Sequence, residues 1–205
     1  MKKIGDASAF GANNHGSIVQ IGDDWYIFYH RHTNGNWFSR QGCAEKIRFT
    51  EDGHIPQVEI TSCGLNGGPL SDIGEYPAYI ACNIFTDEHK VYVEENCPRI
   101  VQEGGDGVAA PSYIKGIVNN TTIGFKYFDM KNVKGLKIKT RAYYNGEFEV
   151  RTSLDGEVLG TIKGDGSNIW TAHECSLPDI TGVNALYLKY TGGGTPSLKS
   201  IEFLH

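Results

Sequence analysis

Residues 134–142 alternate without a break: Leu136, Ile138 and Thr140 fall on one side, Lys137, Lys139 and Arg141 on the other. A period of two marks a strand with one buried face and does not fit the 3.6-residue period of a helix. The alternation returns at 146–152, and Asp155-Gly156 supplies a hairpin turn into a strand at 158–162. Further β-rich runs occupy 124–128, 170–176, 185–190 and 197–204. No helical pattern of useful length interrupts them. Residues 98–205 are therefore predicted to form a β-sandwich with an inner face complete enough to fold alone.

The preceding 92 residues carry shorter strands, predicted at 17–21, 25–30, 37–40, 43–49 and 57–61. Gly22-Asp23-Asp24, Thr33-Asn34-Gly35-Asn36 and Glu51-Asp52-Gly53 join them as turns. Asn34-Gly35 suits a tight turn because both residues tolerate positive φ. Such a meander belongs to a propeller blade or a sandwich edge. Residues 64–70 form a loop, and 79–85 a strand or buried extended segment. The chain crosses into the second unit between Asp87 and Pro98, with Cys97-Pro98-Arg99-Ile100 as the preferred neighbourhood.

A length of 205 residues accommodates two domains. The net charge of -5 argues against a nucleic-acid partner, because Lys131, Lys134, Lys137 and Lys139 are the one Lys-rich stretch and read as a strand face. The five cysteines contain no CxxC pair, which argues against zinc; several read as buried thiols. Met1-Lys2-Lys3-Ile4-Gly5-Asp6 has no apolar signal core, and no apolar run is long enough for a membrane helix. As written, the chain is expected in the cytoplasm.

Gly11-Ala12-Asn13-Asn14-His15-Gly16-Ser17, followed by the hairpin running from Ile18 to His32, resembles the closing blades of the five-bladed propeller of glycoside hydrolase family 43. That family cleaves arabinose- and xylose-containing plant polysaccharides. The second half resembles a family 6 carbohydrate-binding module, a jelly-roll sandwich. This likeness rests on Ile123-Gly124-Phe125-Lys126-Tyr127-Phe128-Asp129, on residues 149–162, on Trp170 and on Ala185-Leu186-Tyr187-Leu188-Lys189-Tyr190-Thr191-Gly192. Together they imply an all-β chain: a truncated set of final propeller blades over 1–92, then a sandwich over 98–205.

The resemblance also implies roles. Family 43 enzymes use two carboxyl groups across the scissile bond and a third that tunes the acid. None of the three motifs is recognisable here, and Asp6 is the sole acid before His15. The implied function is a fragment of an arabinofuranosidase- or xylosidase-type hydrolase, inactive alone. The alternatives are a non-catalytic carbohydrate-binding protein and an enzyme with a site of unrecognised residues. His15 matches a histidine that helps hold a central cation, and Arg40 an arginine that reaches the substrate pocket. Asn14 joins them as a substrate contact. His30 and His32 fall on one strand face and Arg31 on the other, a poor metal set. Trp25, Trp37, Tyr76 and Tyr79 could stack on sugars, though Trp25 suits a core.

In the sandwich, Trp170 is the obvious aromatic for a sugar. Ser167 or Asn168 falls where the module family has its exposed tryptophan, and Ser197 where it has an asparagine. The usual cleft is thereby degraded, and Tyr113, Tyr143, Tyr144 and Asn145 are alternative contacts. A calcium ion is implied at the propeller axis or near the sandwich ends, where Glu103, Asp106 and Glu202 are candidate ligands. The expected partner is a plant cell-wall oligo- or polysaccharide, with self-association through open propeller edges.

Overall fold

The computed structural model describes residues 15–36, 38–86, 97–104 and 110–205. A three-stranded antiparallel sheet comes first: β1 (Ser17–Ile21), β2 (Asp24–His32) and β3 (Arg40–Ile47), in that order. Gly22 takes φ 61° in the β1–β2 turn, and Asn34 and Gly35 take φ 57° and 64° in the next. These are the left-handed values that the Gly and Asn-Gly positions predict. The strands expected at 37–40 and 43–49 are one strand, β3. The strand expected at 57–61 does not form. Pro56 lacks a donor, and the Thr61 amide donates to the Glu45 carboxylate at 2.8 Å in place of a ladder partner. The described residues here form one three-stranded meander.

The sandwich is built around β9 (Thr122–Arg141) and β12 (Thr171–Gly194), which pair along most of their length. The pairing shifts register around Ser176, Ile180 and Gly182. Pro178 cannot donate to a ladder there, and Asn132 opposite takes φ 54°. This bulged region separates two halves with different neighbours. The C-terminal half of β12 pairs with β10 (Tyr144–Arg151), then β11 (Gly160–Lys163). The C-terminal half of β9 pairs with β13 (Ser197–Leu204), followed by β8 (Ser112–Lys115) and β7 (Arg99–Gln102). The inner faces share one core in which Phe125, Phe128, Leu136, Phe148, Ile114 and Tyr190 are fully buried. The predicted alternation holds: Leu136, Ile138 and Thr140 are buried, and the basic residues between them are not.

The boundary expected between 92 and 98 needs correction. β4 (Leu70–Ser71) and β6 (Asn83–Phe85) pair with β9, and β5 (Glu75–Pro77) pairs with β13. Ala78, Ala81 and Ile84 belong to the sandwich core. The sandwich therefore begins near residue 69. Short strands with mixed burial carry little alternation, so the sequence assigned them to the first unit.

The three-stranded sheet docks on this body at three places. Asn34 exchanges two hydrogen bonds with β7, its amide donating to the Ile100 carbonyl at 2.8 Å and its side chain accepting from the Gln102 amide at 2.8 Å. Arg31 donates to the carbonyls of Tyr79 and Ala81. Glu45 holds Thr61, next to Ser62, whose amide donates to the Lys126 carbonyl at 2.5 Å.

No helix among the described residues is long and apolar enough to cross a membrane.

Candidate functional site

The two faces of the β2–β3 sheet divide the charged residues. On one lie His30, His32 and Arg40, which stands opposite His32 in the ladder. The exposed His15 ring lies 5.9 Å from that of His30, which lies 5.9 Å from that of His32. The structure thus brings together His15 and Arg40, two of the residues predicted to contact substrate; Asn14 and Trp37 lie outside the described residues. Arg40 is exposed and donates to the Phe38 carbonyl at 3.1 Å. Burial lowers the His30 pKa, and the charges of Arg40 and His15 lower it further. A neutral imidazole beside a guanidinium can bind hydroxyl groups. A calcium ion wants oxygen ligands, and these side chains offer nitrogen. Among the described residues no three His, Cys, Asp or Glu side chains are grouped to hold a metal ion. Glu103 and Glu202 are paired with Arg141 at 3.1 Å and Lys137 at 2.5 Å, and Asp106 lies outside the described residues.

The opposite face turns toward the sandwich and lines a cavity of about 450 Å³ with Tyr29, Arg31, Glu45, Tyr79 and Cys82. Glu45 is 5% exposed and accepts from Tyr29 at 3.0 Å, from the Thr61 amide at 2.8 Å and from its hydroxyl at 2.6 Å. Burial raises its pKa despite these donors. An adjoining cleft of about 340 Å³ holds Glu45 and Glu59, two carboxylates of the kind glycoside hydrolysis requires. Both are committed elsewhere. Glu59 is paired with Lys126 at 2.8 Å and accepts from Tyr127 at 3.1 Å. Both Glu45 oxygens make contacts within the fold.

A raised folded-state pKa means that the fold prefers the neutral acid. The associated stability is complete below the unfolded pKa and is lost as pH rises through the folded pKa. Glu45→Gln keeps the shape and remains neutral. It is expected to match the natural protein in melting temperature near pH 4 and exceed it near pH 8. Equal pH dependence of the two proteins would show that Glu45 is ionised in the fold at no cost.

Trp170 sits at the end of the sandwich, half-buried, with its ring meeting Tyr113 edge-on at 5.2 Å. The Arg141 guanidinium covers the Trp170 ring at 4.4 Å. A sugar cannot stack on that face while Arg141 occupies it. Ser197 is buried opposite Arg141. Tyr143, in contrast, is 75% exposed. Tyr76 packs against Phe128 at 5.3 Å, and Trp25 against Phe49 at 5.4 Å. Sequence alone did not reveal the clamps made by Arg31 and Glu45 or the cover made by Arg141. Their signal was charge on a strand face, which is ordinarily solvated.

No protein-family model matches the chain. A protein named xylosidase/arabinosidase from Thermoclostridium stercorarium is 56% identical over 198 residues, which cover 93% of this chain and 42% of that protein. The chain thus spans less than half the length of this relative. The solved structure of a glycoside hydrolase family 43 arabinoxylan arabinofuranohydrolase from Bacillus subtilis, in complex with cellotetraose, superposes with a TM-score of 0.62 at 21% identity. The match covers 96% of this chain and 42% of that one. A family 6 carbohydrate-binding module from Clostridium stercorarium, in complex with cellobiose, matches 67% of this chain and 97% of its own, with a TM-score of 0.55 and 20% identity. That span exceeds residues 98–205, in agreement with a sandwich that starts near 69. In sequence the chain is similar to part of a xylosidase/arabinosidase, and in fold to part of a family 43 glycoside hydrolase and, over its sandwich, to a family 6 carbohydrate-binding module.

Proposed function

We propose that this chain is a polysaccharide-binding portion of an enzyme that acts on arabinose- and xylose-containing plant polysaccharides, and that it does not hydrolyse them alone. One observation carries the reading: the 56% identity to a xylosidase/arabinosidase extends over 93% of the chain, so it includes both the three-stranded sheet and the sandwich. The polar face with His15, His30, His32 and Arg40 is the substrate-facing part in this reading. Its groups bind and orient hydroxyls; they include no carboxyl pair to protonate a leaving group and activate water.

The commitment of Glu45 and Glu59 to structural partners supports the absence of turnover in this reading. Purified protein is expected to bind arabinoxylan in affinity electrophoresis and to give no turnover of aryl arabinofuranoside or aryl xyloside. Sustained turnover lost in Glu45→Gln or Glu59→Gln would replace this reading with an enzyme of unrecognised site. Among the described residues, β1 pairs with β2 alone and bears the exposed Ile18, Val19 and Ile21. We infer that this edge takes a further strand, from a longer polypeptide or a second copy. Native mass measurement of the same sample, monomeric at all concentrations, would remove the second copy.

A further inference from the structure

The corner around Trp170 gathers two cationic side chains. Arg141 lies over Trp170 at 4.4 Å and over Tyr113 at 5.3 Å, and the Lys199 ammonium stands 5.5 Å from the Trp170 ring. Among the described residues Glu103 is the carboxylate paired with Arg141, at 3.1 Å, while Asp165 in the loop before Trp170 stands 3.5 Å from His173. Lys199 has no acid within 4.0 Å among them. It stands at the register shift between Leu198 and Ser200, which sets it outside the ladder.

The chain next to this corner is strained. Ala142 takes φ 101°, a left-handed value that a residue with a Cβ rarely adopts. Its amide donates to the Ser167 carbonyl at 2.9 Å, which ties the β9–β10 turn to the loop before Trp170. The bend leaves Tyr143 75% exposed, and Ile169 beside the same loop is 71% exposed. The corner therefore presents the exposed Tyr143, a guanidinium lying over the Tyr113 and Trp170 rings, and the Lys199 ammonium, which has no acid within 4.0 Å among the described residues.

A neutral sugar would use the Trp170 face, which Arg141 occupies. A ligand with a carboxylate and an apolar ring face suits what remains. Its carboxylate would meet Lys199 and the outward donors of Arg141, and its C–H face would lie on Tyr143. We propose that this corner binds the carboxylate of a uronic-acid residue carried on a saccharide chain. The proposal rests on the carbohydrate-binding reading above and adds the charge of the ligand. The overall charge of -5 gives a polyanion no general attraction, so the preference must be local to this corner.

Calorimetry on the whole chain tests it with three probes of equal length: a glucuronic-acid-substituted xylo-oligosaccharide, the same compound with its carboxyl reduced to the alcohol, and the unsubstituted oligosaccharide. In 20 mM salt the acidic probe is expected to bind about tenfold tighter than its reduced form, the worth of one charge-assisted contact. Lys199→Gln, a change at a surface bulge, is expected to remove most of that advantage and leave the neutral probes unchanged. Tyr143→Ala is expected to weaken all substituted probes alike. Equal affinity for the acidic and reduced probes would overturn the uronate assignment and leave saccharide binding standing. A preference that survives Lys199→Gln would overturn the site. Binding of an acidic peptide in preference to the acidic saccharide would overturn the ligand class. Failure of every saccharide to bind would overturn this proposal and the reading beneath it.

Discussion

Residues 98–205 expressed alone will not show a cooperative thermal transition, and residues 69–205 will. The shorter piece contains every strand that the alternation marks, yet it lacks Ala78, Ala81 and Ile84, all fully buried in the sandwich core. Full burial of an Ile side chain stabilises by about 1.5–3 kcal/mol, and its removal also leaves a cavity. The loss continues at the ladders. Asn83–Phe85 covers β9 at Thr122–Gly124, and Glu75–Pro77 covers β13 at Ser200–Glu202. Asp72, buried, accepts from the Lys131 amide at 2.6 Å where β9 bends. These losses together are comparable to the ~5–15 kcal/mol net stability of a domain. Circular dichroism melts of the two pieces decide the matter. A single sharp transition from 98–205, at the temperature of the longer piece, would restore the boundary to the Cys97–Ile100 neighbourhood.

The contrast shows what the sequence could and could not disclose. Strands with one face in the core, such as those holding Leu136 and Ile138 or Phe148 and Val150, alternate and are legible. Three-residue strands such as β5 and β6 contain too few positions to show a period, and their membership is fixed by partners far along the chain. β9 and β12 were each read as two strands because a bulge and Pro178 interrupt the pattern, although the backbone continues. The site divided in the same way. Alternation placed His30 and His32 opposite Arg31, and the ring distances bear this out. The cover over Trp170 depends on a residue of another strand, in register through Thr171 and Thr140, which no local pattern encodes.

Replacing Arg31 with Ala is expected to release the three-stranded sheet from the sandwich. Arg31 is 7% exposed, and its charge has no carboxylate partner described in its own contacts. Its guanidinium donates to Gln41 at 2.9 Å and to the carbonyls of Tyr79 and Ala81. Five donors in one plane suit three acceptors on two separate segments; a lysine ammonium has neither the reach nor the fork. Removal leaves the Ala81 carbonyl without this donor and the Tyr79 carbonyl with only the Gln41 amide at 3.5 Å; an unmet buried acceptor costs about 1–3 kcal/mol, so a loss of about 3 kcal/mol is expected. The loss should be local. The contact of Asn34 with β7 and that of Glu45 with Thr61 remain, and among the described residues the 79–81 turn is then held only by the long Gln41–Tyr79 contact at 3.5 Å. Hydrogen exchange in Arg31→Ala is therefore expected to accelerate across residues 17–47 while β10 and the C-terminal half of β12 keep their protection. Arg31→Lys should behave much as Arg31→Ala, and Arg40→Ala, at an exposed position, should change stability by no more than about 0.5 kcal/mol. Unchanged exchange in Arg31→Ala would place the attachment elsewhere. The separation also has a functional consequence, because Arg31 and the histidines lie on opposite faces of one strand. A sheet freed from the sandwich loses the fixed placement of His30, His32 and Arg40, so the saccharide contacts proposed for that face should weaken while those proposed at Tyr143 persist.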